Sequence, residues 1–327
     1  MAQLTVPRAR RMVLAMKAET TYGTDAFAGT YTSADIIPAF NIVPDARMTE
    51  VPNLSMFGDL GRLPSVMAEE VGSLSFSMYL RGAGAAYAAN VKPECDRPLQ
   101  GCMLIGVGSF TAGAEKWTYQ PGTPQSYTLY ATQENGRTLK LVGAYGTMDL
   151  TMRAGGVLEA RFVFTGKVGG VADVSWVAGT VSGPPPYPQF KSAAFQIGTA
   201  NYAPRIATVG LALGNVVSPA PSINDATGVG GFFISDRNPR ITIDPEANAV
   251  ANFDWYGLMK AGTLNDVTFQ CGTEQYNRVK FNFNASSAAQ VQIVATSWGT
   301  RDGLTSSPAT LLATINAGAD DLALVFD

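Results

Sequence analysis

The stretch YGTMDLTMRAGGVLEARFVFTGK, residues 145–167, decides the reading of this chain. Met148, Leu150 and Met152 alternate with Thr147, Asp149 and Thr151. After Ala154-Gly155-Gly156, Leu158, Ala160, Phe162 and Phe164 alternate with Glu159, Arg161 and Thr165. A period of two on both sides of a glycine-containing loop spells an antiparallel hairpin. A three-residue loop needs one left-handed backbone position, which glycine supplies without a Cβ clash. That turn sets Arg153 opposite Val157, Thr151 opposite Glu159 and Asp149 opposite Arg161, while Met152 meets Leu158 and Met148 meets Phe162 on the other face. The predicted hairpin has a dry, apolar face and a wet face on which an Asp–Arg pair stands among threonines.

The rest of the composition agrees with a β-rich protein. Of 327 residues, 46% are hydrophobic and 15% charged, enough apolar material for cores and too little charge for a disordered chain. The length suits two domains better than one. A net charge of −3 gives no attraction to nucleic acid or to an anionic membrane. There is no histidine, which excludes Ser-His-Asp and Cys-His sites, the H-E-x-x-H motif and His-containing zinc sites, and leaves Ser-Lys and paired-carboxylate chemistry open. Cys95, Cys102 and Cys271 show no C-x-x-C spacing and read as small buried thiols in a reducing compartment. After Arg8, Arg10 and Arg11 the apolar run MVLAM (12–16) is too short for a signal peptide, and no stretch approaches the ~18 to 20 apolar residues of a membrane helix. No membrane insertion, metal or cofactor is expected, and the compartment is expected to be a cytoplasm.

In chain order, residues 36–43 form an early strand broken by Pro38, a sign of an edge or bulge. Residues 45–67 hold Met48, Val51, Leu54, Met56, Phe57, Leu60 and Leu63 without a clear period, interrupted by Pro52, Gly58, Gly61 and Pro64. This segment reads as a long loop, either folded back on its own core or extended as an arm that buries those side chains against a neighbouring subunit. GSLSFSMYL (72–80) is a strand with a serine-lined wet face, and RGAGAAY (81–87) is a turn, since it lacks the third glycine and the βαβ context of a dinucleotide site. PLQGCMLIGV (98–107) reads as a short helix. In YTLYATQENGRTLKLV (127–142), Asn135-Gly136 signals a two-residue hairpin with Glu134 opposite Arg137 and Tyr130 opposite Leu141.

The clearest boundary follows. Residues 176–189 include SGPPPYP (182–188), a semi-rigid extended connector between a first unit, 1–175, which carries the 45–70 arm, and a second, 190–327. In the second unit IATVGLALGNVV (206–217) is a strand bent at Gly214-Asn215, 218–231 is a Pro/Gly/Asn-rich loop, and RITID (240–244) is a strand. Residues 253–261 form a helix closed by Gly262, 267–283 a hairpin, and 290–297 and 322–326 strands. The halves share an order, strand, short helix, hairpin and closing strands, in which 127–142 matches 267–283. Each unit is a small β-sandwich or half-barrel with one helix covering an open face.

At AETTYGTD (18–25), LALGN (211–215), ISDRNP (234–239) leading into RITID, MKAGT (259–263) and SWGTRDG (297–303), the chain resembles the major tail proteins, or tail tube proteins, of long-tailed bacteriophages. The short matches run through most of the chain but leave out 218–231 and 172–183. The resemblance implies a mainly β fold of two tail-tube-like sandwich or half-barrel units, each with a flanking short α-helix. It implies a structural subunit of the virion tail rather than an enzyme. Copies would assemble in the host cytoplasm into stacked rings whose lumen conducts DNA without binding it specifically. Two units per chain favour a trimer with pseudo-sixfold symmetry over a hexamer. Tape-measure and tail-end proteins are the expected partners. Thr147, Asp149, Thr151, Glu159 and Arg161 would then line the lumen or face outside, and Met48, Val51, Leu54, Met56, Phe57, Leu60 and Leu63 would form the inter-subunit arm.

Two other readings compete. A decoration protein or monomeric carbohydrate-binding module would display Trp117, Trp176 or Trp298 as a ligand platform. A carboxylate enzyme would use Glu69 and Glu70 or Asp320 and Asp321, but adjacent residues of a strand point to opposite faces, so neither pair makes a natural acid/base site.

Overall fold

The computed structural model describes residues 8–55, 60–180, 185–198, 202–283 and 289–327. The chain is mainly β, with two short α-helices among the described residues. The hairpin of the opening stretch is present in the expected register: Asp149 pairs with Arg161, Thr151 with Glu159 and Met148 with Phe162. Gly155 takes the left-handed position with φ 77°, and Gly156 N–H donates to the Arg153 carbonyl at 2.8 Å to close the turn.

This hairpin is the spine of a twelve-stranded sheet. On one side, strand Arg137–Arg153 pairs with Glu159–Asp173, which continues to Val66–Tyr79 and then to Phe40–Val51. On the other side it has two successive neighbours. Tyr127–Thr132 pairs with its first part and leads to Val13–Ala18 and Ile36–Ile37. Thr208–Ala212 pairs with its last part and leads to Arg240–Ile243, Ala309–Ala313, Val291–Thr296 and Leu264–Asn265. At this fork Leu213 N–H donates to the Met148 carbonyl at 3.0 Å. The Asn215 amide donates to the carbonyls of Gly146 at 3.0 Å and Cys102 at 2.8 Å. These bonds satisfy backbone groups that the sheet itself leaves unpaired.

A second, six-stranded sheet packs against the inner face, in the order Gln196–Ile197, Val267–Cys271, Val279–Asn282, Ala323–Phe326, Lys116–Pro121, Leu104–Ser109. Between the layers lies one core that draws on both halves of the chain, including Phe76, Phe162, Leu211, Ile241, Phe281 and Phe326. Phe76 stacks on Phe162 with centroids 5.3 Å apart. Each such side chain contributes roughly 1.5–3 kcal/mol through burial. Both sheets cross the connector. Strand Arg137–Arg153 pairs with Thr208–Ala212, and Lys116–Pro121 pairs with Ala323–Phe326. Cys95, Cys102 and Cys271 are buried free thiols, and burial pushes the Cys271 thiol up to about 12.

Several local expectations need correction. The 98–107 segment is not one helix: helix Asp96–Gly101 ends there, and Leu104–Ser109 is an edge strand of the small sheet. A short apolar run looks alike in either state. The 135–136 turn is a three-residue loop, with Gln133 N–H donating to the Arg137 carbonyl at 2.9 Å and Gly136 at φ 90°. A type I turn followed by a left-handed glycine uses the same Asn-Gly letters. The register moves by one, so that Tyr130 faces Lys140 and Leu129 faces Leu141. The 218–231 loop contains a two-stranded sheet, Val216–Pro221 with Val229–Asp236. Its prolines 219 and 221 are tolerated because that strand has one partner among the described residues. The 45–67 segment is ribbon at both ends: Phe40–Val51 and Val66–Tyr79 pair as far as Val51 with Val66, and the described residues between them, 52–55 and 60–65, are outside the strands. Finally, 127–142 and 267–283 lie in different sheets. What recurs is a helix followed by a small-sheet hairpin and then a large-sheet hairpin: Asp96–Gly101, 104–121 and 127–153, against Trp255–Ala261, 267–282 and 291–313.

The second helix forms where expected. The Asp254 carboxylate caps it by accepting from Gly257 N–H at 2.8 Å, and Gly262 ends it. The connector is pinned across the sandwich. Asn277 Nδ2 donates to the Pro186 carbonyl at 2.9 Å, Tyr187 packs edge-on to Tyr79, and the Arg81 guanidinium lies 4.6 Å over the Tyr187 ring.

Candidate functional site

Alternation sends Met148, Leu150, Met152, Ala160 and Phe162 into the core, so Asp149, Thr151, Glu159 and Arg161 stand exposed on the outer face of the large sheet. Pairing extends this face sideways. Arg240, Ala212, Asp149, Arg161 and Ser77 follow one another across five strands, as do Thr242, Gly210, Thr151, Glu159 and Tyr79. The result is a polar surface with both signs of charge interspersed, which ends at buried Ser77 and half-buried Tyr79. Thr147 differs from its neighbours: it is half-buried, and its hydroxyl accepts from Asn215 N–H at 3.2 Å.

The second surface is the ribbon. From Ala46 to Val51 and from Val66 to Glu69 both faces are exposed. Met48, Val51, Leu54 and Leu63 are exposed, and Leu60 is fully so. Met56 and Phe57 lie outside the described residues. Among the described residues, strand Phe40–Val51 pairs only with Val66–Tyr79, which leaves its other edge open along its 12 residues. Pro44 sits in that strand, where an edge position tolerates a missing N–H. A two-stranded ribbon bare on both faces is marginal in water, and a long open edge invites pairing with another chain.

Sequence reasoning did not single out a third feature, a groove of about 620 Å³ beside the 154–156 turn. Phe190, Ala193, Phe195 and Ile206 line it, with Lys191, Arg205, Glu246 and Arg301 at the rim. Gly155 N–H donates to the Phe190 carbonyl at 3.0 Å and Ala154 N–H to the Ala207 carbonyl at 2.8 Å, which fixes the walls to the spine. Ser192 and Ala194 both hold left-handed backbone, φ 49° and 46°, at a cost of roughly 1–2 kcal/mol each. The groove draws on separated parts of the chain, so no single window of sequence displays it.

The residues of the competing readings fall elsewhere. The Trp117 indole is buried and donates to the Val91 carbonyl at 2.9 Å, and Trp176 donates to the Arg11 carbonyl at 2.9 Å. Trp298 is 98% exposed and stands apart from both. Glu69 is exposed on the ribbon. Asp320 clasps a loop, accepting from the N–H groups of Asn316 and Ala317 at 3.0 Å each. Asp321 pairs with Arg237 at 2.9 Å, and burial raises its carboxyl against the opposing pull of that guanidinium. Among the described residues no three His, Cys, Asp or Glu side chains gather as a metal site, and no helix is long and apolar enough to cross a membrane.

A mainly β sandwich with a broad polar sheet face, an open edge and a bare ribbon defines a class of protein that presents surfaces to other protein. The chain matches the family model described as phage tail tube protein over residues 9–296, and it belongs to that family. It is a structural protein of the virion tail, and the family implies self-assembly into a tube. A search of curated proteins gave no match.

Proposed function

We propose that copies of this chain join through their open sheet edges into rings, and that the rings stack into a tube whose lumen passes DNA without sequence-specific contact. The observation that carries this reading is the open edge of Phe40–Val51, continued by a ribbon bare on both faces, in a member of the tail tube family. Closing edges between copies into a continuous barrel removes the liability that an open edge creates.

The ribbon is the inter-subunit arm, with Met48, Val51, Leu54, Leu60 and Leu63 as its apolar contacts, and the face bearing Asp149, Thr151, Glu159 and Arg161 lines the lumen or the outside. The recurring order of one helix and two hairpins supports two units, 1–175 and 190–327, joined by 176–189. A ring of three such chains has pseudo-sixfold symmetry and is favoured over a ring of six. Tape-measure and tail-end proteins complete the tail, assembled in the host cytoplasm, and the chain catalyses no reaction.

Negative-stain microscopy and light scattering of the purified chain test the proposal. Hollow tubes or ring-sized oligomers are expected. A monomer that persists at every concentration overturns it.

A further inference from the structure

The ribbon and the groove lie at opposite ends of the same sheet. Along strand Val66–Tyr79, Tyr79 pairs with Glu159 close to the 154–156 turn, whereas Gly72 pairs with Gly166, and the ribbon continues from there away from the turn. The 14 residues from Tyr79 to Val66 span roughly 40 Å at about 3.3 Å per residue. A projection at one end and a recess at the other are the two halves of a head-to-tail contact, which repeats without closing and builds a column.

The two surfaces also match in chemistry. The ribbon offers exposed Val51, Leu54, Leu60, Leu63, Val66 and Met67. The groove offers an apolar floor, and its size of about 620 Å³ lies within the range of ligand-sized clefts. With Asp45 paired to Arg47, the described residues of the ribbon set Glu50, Glu69 and Glu70 against Arg62. At the groove rim, Arg301 and Arg205 share Glu246 at 3.3 and 3.7 Å and Arg301 also reaches Asp244 at 3.2 Å, so with exposed Lys191 the rim carries three cations against two carboxylates and keeps a positive balance to meet the ribbon's carboxylates. Complementary potentials of this kind set orientation and exclude the reverse docking.

We propose that the groove walled by the 154–156 turn, Phe190–Phe195 and Ile206 is the acceptor for the ribbon of a second copy of this chain, stacked along the strand direction. This rests on the tube reading and specifies its axial contact.

The test uses Leu54→Cys and Ala194→Cys, both at exposed positions, in the full chain; the three native thiols are buried and stay out of the reaction. Chains carrying both substitutions are assembled, oxidised and run on a denaturing gel. Ladders of three and more linked chains are expected, because each chain then bonds one neighbour through its ribbon and another through its groove. If the double variant fails to assemble, tagged Leu54→Cys chains are co-assembled with untagged Ala194→Cys chains, and linked heterodimers are expected. Tubes whose chains stay unlinked in both formats overturn the groove assignment and leave the tube standing. An unaltered chain that never assembles overturns both.

Discussion

Two long antiparallel pairs dominate the large sheet, and they meet opposite fates. The pair Arg137–Arg153 with Glu159–Asp173 has one face buried in the core along most of its length and the other in water. The pair Phe40–Val51 with Val66–Tyr79 begins in the same way, with Leu74, Phe76 and Met78 buried, and then leaves the sandwich bare on both faces. Backbone pairing is the same kind of bond in both. The contrast shows that in this protein the covered face, not the ladder, decides which part of a strand pair is self-sufficient.

The sharpest way to break that contrast is to remove the bare part. Deleting residues 51–63 is expected to abolish polymerisation, seen by negative stain, while circular dichroism and the thermal midpoint stay close to those of the full chain. If the truncated protein still forms tubes, the ribbon is not the arm. The reciprocal change strikes the covered pair. Phe162→Ala opens a cavity against Phe76 and is expected to cost ~3–5 kcal/mol in urea unfolding, whereas Met48→Ala on the ribbon is expected to cost less than ~0.5 kcal/mol in the same assay. Equal losses would mean that the ribbon is packed in the isolated chain.

A third measurement concerns the small hairpin 216–236, which sits over the spine. Its Asp225 carboxylate is held at about 2 by the Lys167 ammonium at 2.5 Å and by Thr227. A folded value below the ordinary one, about 3.9, means that this clamp is fully present above pH ~4 and is lost as pH falls through about 2. Hydrogen exchange at Val229–Asp236 should therefore accelerate between pH 4 and 2 beyond its intrinsic pH dependence. Asp225→Asn should remove that extra step, and an unchanged profile would refute the clamp. The smallest effect belongs to the wet face. Asp149→Asn is expected to alter stability by less than ~0.5 kcal/mol, because its cross-strand partner Arg161 is equally exposed; a larger loss by urea unfolding would show that the pair matters to the fold.

What could be read from the letters followed the same division. The 145–167 hairpin was legible down to its register because burial on one face writes an alternation and Gly155 marks the turn. The strands of the ribbon were not legible, since a pair with two wet faces has no alternation to show, and Met48 and Val51 looked like loop residues. The hairpin 216–236 was hidden by Pro219 and Pro221. The 133–137 turn slipped by one residue because Asn135-Gly136 serves both a two- and a three-residue loop. Of the candidate surfaces, the polar face and the segment of exposed apolar residues could be anticipated, while the groove, drawn from distant stretches of chain, could not.

The pairing of Lys116–Pro121 with Ala323–Phe326 carries a consequence for timing. About 200 residues separate these neighbours, so the inner layer stays unfinished until the distal part of the chain has left the ribosome. A nascent subunit in that condition has no settled platform from which to hold out its ribbon. On the proposed assembly, long-range closure acts as a delay that keeps half-made chains from joining.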